Sequence, residues 1–461
     1  MLPEEIRAAH EKLSDVSLRF VEHATREPGC ARKLFPRSAA LPVWGMPYSF
    51  DLQSWPTFLG RENLRQLERA SIGLADLVRQ IPTRFLGGDP KRVRDFYGLA
   101  SEQNAATILR PPNGFAACLG RLDFVNGPGG FKCLELNMAS NLGGWQVRYI
   151  EPLLRKHPPM ARFFSQEATA AVYRDSLRIL LSHVARDAMR QLDLPERKLN
   201  LGMVLPPTTP FPPTALADMA AVYRSILGEI GGGWTGDVLA CHYQGALSIR
   251  QEKVYAGTER VHALLEYTPD RTPADVYTRF KQGAVALYNG PLTRLFCTKR
   301  NLVLLSQLED SDELSAEERS LIRDHLPWSR DVAPGETTFR GEVVSLLDHL
   351  LAHRGEFIIK PARELGGRGV CIGRFASQDD WERHVREAAA GKDWLAQEYV
   401  RGYPYLYQHG EEGYRPHDVV WGAFCFGSSY GGTFVRVMPR DTGGGVVNST
   451  QGAAEGVVFE V

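Results

Sequence analysis

The sequence predicts an α+β fold with a helical N-terminal region, a Rossmann-like α/β unit in the middle and β-rich stretches on either side. Three observations carry this. Residues 1–25 and 61–80 place apolar residues at helical spacing, with Leu64, Leu67, Ile72, Leu74 and Leu77 tracing most of one stripe. Residues 201–205, 214–227 and 237–241 read as strand, helix and strand, a βαβ-like unit. From Asp418 to Val461 the chain is rich in glycine and patterned as strands.

In chain order, a Pro- and aromatic-rich connection joins the two N-terminal helical stretches. Residues 121–125 and 131–137 alternate on either side of the turn formers at 126–130 (NGPGG), which predicts a β-hairpin. Residues 167–192 read as one long helix, with Ala171, Leu177, Leu180, Leu181 and Val184 as its apolar positions. After the βαβ unit, 283–288 is a strand and 311–330 is charged and helical. Residues 356–361 and 370–374 are strands flanking a glycine loop, and 394–400 is a third strand. A chain of 461 residues is too long for one ordinary core and suggests roughly three domains. We divide it into a largely helical region (1–110), a segment with the hairpin (111–195), the Rossmann-like domain (196–330) and a C-terminal lobe with closing strands (331–461).

The 54 basic and 54 acidic residues cancel, so the polybasic signature of a nucleic-acid or anionic-membrane binder is missing. No apolar run approaches the ~20 residues that span a bilayer, and the start lacks a basic stretch followed by an apolar one. A soluble, cytoplasmic protein acting on small molecules is expected. The seven cysteines are scattered, odd in number and without a Cys-x-x-Cys pair, which argues against a disulfide framework or a structural zinc site.

Two motifs carry chemistry. In the hairpin, pairing Val125 with Phe131 puts Arg121 opposite Glu135 and every odd residue on one face. That face holds Arg121, Asp123, Glu135 and Asn137, while Leu122, Phe124, Leu134 and Leu136 go to a core. Many polar hairpin faces are merely solvated. An arginine, two carboxylates and an amide in one patch also suit Mg²⁺, which takes a few hard oxygen ligands completed by phosphate and water. In the second motif, residues 357–372 (FIIKPARELGGRGVCI), Lys360 ends a strand and Gly366, Gly367 and Gly369 form a loop that opens another strand. Such a loop brings backbone N–H groups and one ammonium toward phosphates. It is neither a dinucleotide fingerprint, which opens a helix, nor a Walker loop, which needs Gly-Lys-[Ser/Thr]. Further on, Gln397, Glu398, Tyr399 and Val400 end an apolar strand that Gly402 and Pro404 break.

Together these motifs resemble the circularly permuted ATP-grasp superfamily, related to glutathionylspermidine synthase and to bacterial peptide-ligase-like proteins. The order marks the permutation, because unpermuted members place the glycine loop and hinge before the metal strands. The resemblance implies a circularly permuted ATP-grasp fold in which 196–330 is the Rossmann-like preATP-grasp domain. It implies that Asp123, Glu135 and Asn137 hold two Mg²⁺ ions and that Arg121 meets the ATP phosphates. Lys360 and the three glycines would cradle those phosphates, and Gln397 to Val400 would line the adenine. Lys299 matches a second family lysine, with a solvated lysine at a helix start as the alternative. Arg436, with Arg440 as competitor, would reach the transferring phosphate, and an Asn448-Ser-Thr-Gln451 segment would lie nearby. His417 reads as a surface residue rather than a base.

The implied activity is ligation of a small-molecule carboxylate to an amine through an acylphosphate, with ATP and Mg²⁺ and release of ADP. A phosphotransferase and a non-catalytic nucleotide-binding protein are the alternatives; the latter would be expected to lose Asp123, Glu135 or Lys360. A nicotinamide oxidoreductase fails because Pro206-Pro207 stands where a glycine fingerprint should follow Leu205. The 138–146 segment differs from that of the synthase and is expected to touch the acceptor or acyl group. The oligomeric state stays open between monomer and homodimer.

Overall fold

Eight strands form the sheet that positions the site. In the computed structural model, which describes residues 2–461 apart from 38–39, 42, 45–47, 111–117, 206–210, 243–245, 268–272, 365, 392 and 441, its order is Thr57–Leu59, Ala454–Glu460, Ser429–Pro439, Tyr414–Phe426, Leu119–Gly127 and Gly130–Asn137. Tyr405–Gln408 also pairs with Tyr414–Phe426, and Val172–Tyr173 with Ala454–Glu460. The early hairpin is therefore welded to strands from the far end of the chain, with Gly422 opposite Asp123 and Phe424 opposite Arg121. The helix Arg61–Gln80 packs on this sheet through Leu67, Ala70, Leu74 and Val78, while Leu64 and Ile72 of the expected stripe are half-buried.

A second sheet is wholly parallel, in the order Ala286–Tyr288, Ala263–Glu266, Leu201–Leu205, Val238–His242, with the helix Pro213–Ile230 crossing from the central strand Leu201–Leu205 to the edge strand Val238–His242. The expected βαβ unit is thus present; Pro206 and Pro207 lie outside the described residues. A third, antiparallel sheet runs Ser329–Asp331, Trp394–Glu398, Phe357–Pro361, Cys371–Ile372. It has its own core, in which Phe357, Ile359 and Ala396 meet Trp381 and Val385 of the helix Gln378–Ala390. The architecture is mixed α+β, as expected.

Several element bounds differ from expectation. Residues 1–25 form two helices, Glu4–Leu13 and Asp15–Arg26, because Ser14 is extended and its Oγ caps the second by accepting from the Ser17 N–H. The region 1–110 also contributes the strand Thr57–Leu59. The long helix begins only at Ser176, since Asp175 accepts from the Leu177 and Arg178 N–H groups as its cap; Ala171 is buried outside it. The 311–330 helix is shorter, Ala316–His325, and starts at a Ser315/Glu318 capping box.

A further correction, of register, touches the site. Arg121 pairs with Asn137 and Asp123 with Glu135, but the next pair is Phe124 with Cys133. Leu134 is thus an extra residue, a β-bulge. The bulge reverses the alternation beyond it, so Phe131 and Cys133 enter the core and Leu134 turns to the cleft. All seven cysteines are free. Among the described residues no helix is long and apolar enough to cross a membrane.

Candidate active site

Asp123 is the hub of the cleft. Its Oδ1 accepts from Arg121 Nε at 2.9 Å; its Oδ2 accepts from Arg121 Nη2 at 3.1 Å and Asn137 Nδ2 at 3.0 Å and meets Arg436 Nη2 at 2.8 Å. Burial opposes charge on this carboxylate, but the guanidiniums of Arg121 and Arg436 outweigh it and hold Asp123 below the usual carboxylate range. Arg436 comes from the strand beyond Tyr414–Phe426, so its pair with Asp123 crosses that strand at Gly422. A Cβ there would stand 2.3 Å from the Phe434 ring and 3.0 Å from Arg121 Cδ. Glycine leaves the space in which Arg121 lies on Phe434 and reaches Asp123. Arg121 Nη1 also donates to the Gly143 carbonyl, which ties the 138–146 segment to the hairpin.

Two lysines meet the hairpin from the other side. Lys299 Nζ stands 3.1 Å from Glu135 Oε1 and donates to the Glu364 carbonyl at 2.7 Å. It is buried, not solvated. Lys360 Nζ donates to Gln397 Oε1 at 2.8 Å and to the carbonyl of the bulge residue Leu134 at 2.9 Å, bridging the third sheet and the hairpin. Burial, and next the like charge of Lys299, bring its ammonium down to about 7 against the pull of Glu135. Gln397 is held in turn, with Nε2 donating to Ser329 Oγ.

The glycine loop closes over these groups. Gly366, Gly367 and Gly369 have φ of +72°, +72° and +69°, a region that side chains strain to enter. Gln451 Nε2 and Thr450 Oγ1 donate to the Gly366 carbonyl, and a Cβ on Gly367 would press to 2.7 Å from Val446. The expected 448–451 segment therefore clamps the loop. Leu365 lies outside the described residues. Gly369 does not line the cleft; its bare Cα instead lets Pro361 pack close.

Two adjoining cavities share Asp123, Glu135, Arg436 and Asn448. The smaller, about 140 Å³, includes Leu134, Lys299, Lys360, Gly367, Tyr399 and Val400. The larger, about 450 Å³, includes Arg121, Asn137, Asn141, Thr298 and Gly366. Gln397 also lines the smaller one, whereas Glu398 stands outside it and pairs with Arg340. The backbone N–H groups of Glu398 and Tyr399 are already donated to Trp328 and Glu356 carbonyls. Arg440 turns away to Asp418 and the Gly402 carbonyl. His417 is buried rather than on the surface, lowered by that burial to about 4, and lines neither cavity.

The donor set of Asp123, Glu135 and the Asn137 amide is one of hard oxygens and fits Mg²⁺, which binds through one or two carboxylates plus phosphate and water. No group of three or more His, Cys, Asp or Glu side chains among the described residues could hold a metal unaided. Three further residues build the site, none of which the sequence had given a role. Gly422 makes room at the hub. Asn289, at φ +59°, clamps both backbone groups of Leu119 with its side-chain amide and so fixes the start of the hairpin. Glu455, the cross-strand partner of Arg436, is a buried carboxylate raised by burial that accepts from Tyr48 and Ser449 hydroxyls.

Among solved structures the fold is similar to that of a glutathione synthetase-like effector from Globodera pallida in its apo form, with a TM-score of 0.57 at 10% identity over 96% of this chain and 97% of that one. A gamma-glutamylcysteine synthetase-like protein from Methylobacillus flagellatus aligns over 83% of this chain and 86% of that one, at 11% identity and a TM-score of 0.42. D-alanyl-alanine synthetase A from Vibrio cholerae aligns over 53% and 69%, at 10% identity and a TM-score of 0.29. No family model matches the sequence, and no curated protein does. The first likeness, spanning nearly all of both chains, shows that the two share a fold.

Proposed function

We propose that the chain is an ATP-dependent carboxylate–amine ligase of the circularly permuted ATP-grasp type. The observation that carries the reading is the convergence of Arg121, Asp123, Glu135, Lys299, Lys360 and Arg436, from distant parts of the chain, on one cleft under a glycine loop. The chain order supports the permutation: the hairpin precedes the glycine loop yet pairs with a closing strand. The division at 110, 195 and 330 is part of the same proposal.

ATP would enter the smaller cavity and extend past the shared Asp123, Glu135 and Arg436 into the larger one, since about 140 Å³ alone does not hold a nucleotide; its base would stand against Gln397, Tyr399 and Val400 and its phosphates beside Lys360, Lys299 and the loop. Asp123, Glu135 and Asn137 would hold Mg²⁺, which supplies charge neutralisation on the phosphates. A substrate carboxylate oxygen attacks the γ-phosphorus while the bond to the bridging oxygen breaks and ADP leaves. Arg121 and Arg436 give up Asp123 for the phosphoryl oxygens and stabilise the charge that builds there. The amine then attacks the acyl carbon, the bond to the phosphate oxygen breaks, and phosphate departs with the proton the nitrogen loses. The clamped glycine loop excludes water from the acylphosphate.

Nucleotide titration tests the placement of ATP. Lys360→Met keeps the aliphatic stem, so it is expected to weaken Mg-ATP binding about tenfold or more by removing a charge-assisted contact. Arg436→Ala is expected to leave binding closer to native and to lower turnover, because that arginine serves the group in flight. Unchanged affinity in the lysine variant would remove the phosphate assignment.

The same lysine predicts a pH dependence. Lys360 sits at about 7 in the free protein, and a neighbouring phosphate raises it, so binding takes up a proton between the two values. Affinity is then constant below pH 7 and falls above it by up to about tenfold per unit until the bound-state value is reached. Calorimetry at pH 8 in buffers of differing ionisation heat should show the uptake, and Lys360→Met should abolish it.

A further inference from the structure

On the reading that the cleft is a ligase site, the clamp on its glycine loop is weak where it touches the loop. Thr450 Oγ1 and Gln451 Nε2 reach the Gly366 carbonyl at 3.4 and 3.2 Å, and both residues are exposed. Contacts at the far end of the hydrogen-bond range compete poorly with water. What keeps the loop shut is therefore the position of the turn that presents them.

That turn is shaped from within and anchored through Ser449. Asn448 Oδ1 accepts from the Thr450 N–H at 3.0 Å, the Asn448 carbonyl accepts from the Gln451 and Ala453 N–H groups, and Gly452, at φ +98°, leads into the strand Ala454–Glu460. The Ser449 hydroxyl donates to Glu455 Oε1 at 2.8 Å, and both residues are buried. Glu455 is held in turn from several sides. Its N–H donates to the Asp51 carbonyl, its own carbonyl accepts from the Gln53 N–H, its Oε2 accepts from the Tyr48 hydroxyl at 2.9 Å, and it stands opposite Arg436 on the neighbouring strand. Yet it lines neither cavity of the cleft. A buried carboxylate costs stability unless its oxygens are satisfied. Here two hydroxyls satisfy them, and one belongs to the clamp.

We infer that Glu455 is a positioning residue: by accepting from Ser449 it holds the 448–451 turn over the glycine loop and so keeps the loop closed on the phosphate site. It does this through the hydrogen bond and not through its charge. A glutamine keeps an oxygen for Ser449, whereas an alanine does not. Because the strand of Glu455 pairs with the strand of Arg436, closure of the loop and placement of that arginine share one support.

Trypsin reads loop opening on the full chain, since Arg368 is exposed within the loop and cleavage of a closed segment tracks the population that opens. Cleavage after Arg368 is expected to be slow in the native protein and slower still with Mg²⁺ and AMP-PNP, a non-hydrolysable ATP analogue. In Ser449→Ala and in Glu455→Ala it should quicken about three- to tenfold, as expected for the loss of one hydrogen bond, and in Glu455→Gln it should stay within about twofold of native. Cleavage after Arg383, exposed on the helix Gln378–Ala390, should not change, which separates opening of the loop from a general loss of stability. Should Glu455→Ala fold poorly, Ser449→Ala decides by itself. Native-like cleavage after Arg368 in Ser449→Ala, equal quickening after both arginines, or a Glu455→Gln variant as fast as Glu455→Ala would each overturn the inference and leave the nucleotide reading standing. No slowing of the native protein by Mg²⁺ and AMP-PNP would instead overturn the ligase reading, and this inference with it.

Discussion

Glu135→Gln is expected to lower turnover by about a hundredfold or more and to leave the fold in place. The substitution keeps size and hydrogen-bonding capacity but removes the charge proposed to hold Mg²⁺ against the phosphates. The structural cost is small. Glu135 is partly exposed and its ion-pair partner Lys299 keeps the Glu364 carbonyl as acceptor, so the loss of stability should be about 1–2 kcal/mol. Steady-state rates across a Mg²⁺ series, with a denaturation curve on the same sample, measure both parts. If Glu135 served only to pair with Lys299, the variant would run at a near-native rate with an unchanged Mg²⁺ dependence.

Asp123→Asn is expected to combine loss of activity with the largest loss of stability of any single change at the site. Its side chain and those of Arg121 and Arg436 are almost fully buried. Neutralising the carboxylate leaves two guanidiniums without their counter-ion, and breaking a buried pair costs about 3–5 kcal/mol. Asn137, whose Nδ2 donates to the same oxygen, cannot replace the charge. Urea unfolding at neutral pH reads the loss. A variant as stable as the native protein would mean that solvent or another anion neutralises the arginines, and the hub would not be the electrostatic centre described.

The two motifs that hold the site were legible in sequence because each depends on local chemistry. The glycine loop shows itself since three positions need φ near +70°, and the hairpin because turn formers separate two alternating runs. The register was not legible. The bulge at Leu134 coincides with a carbonyl that accepts from Lys360, over two hundred residues away, and strict alternation offers no hint of such a partner. Gly422 and Glu455 were hidden for the same reason: each matters only through a neighbour on the next strand. What separates Arg436 from Arg440 in the structure is the strand limit: Arg436 lies within Ser429–Pro439 and Arg440 just beyond it, turned to Asp418. The over-long helix from Glu167 is different, because the cap at Asp175 is a sequence signal that the apolar spacing masked.

The nucleotide product tests the central claim most directly. Given Mg-ATP, a carboxylate substrate and an amine, the protein should release ADP and phosphate, with sustained release requiring both the carboxylate and the amine. This follows if the γ-phosphoryl passes to the carboxylate at the Asp123 hub and the amine then displaces it. Release of AMP and pyrophosphate would contradict the acylphosphate mechanism, and ADP release at full rate without an amine would mark a phosphotransferase.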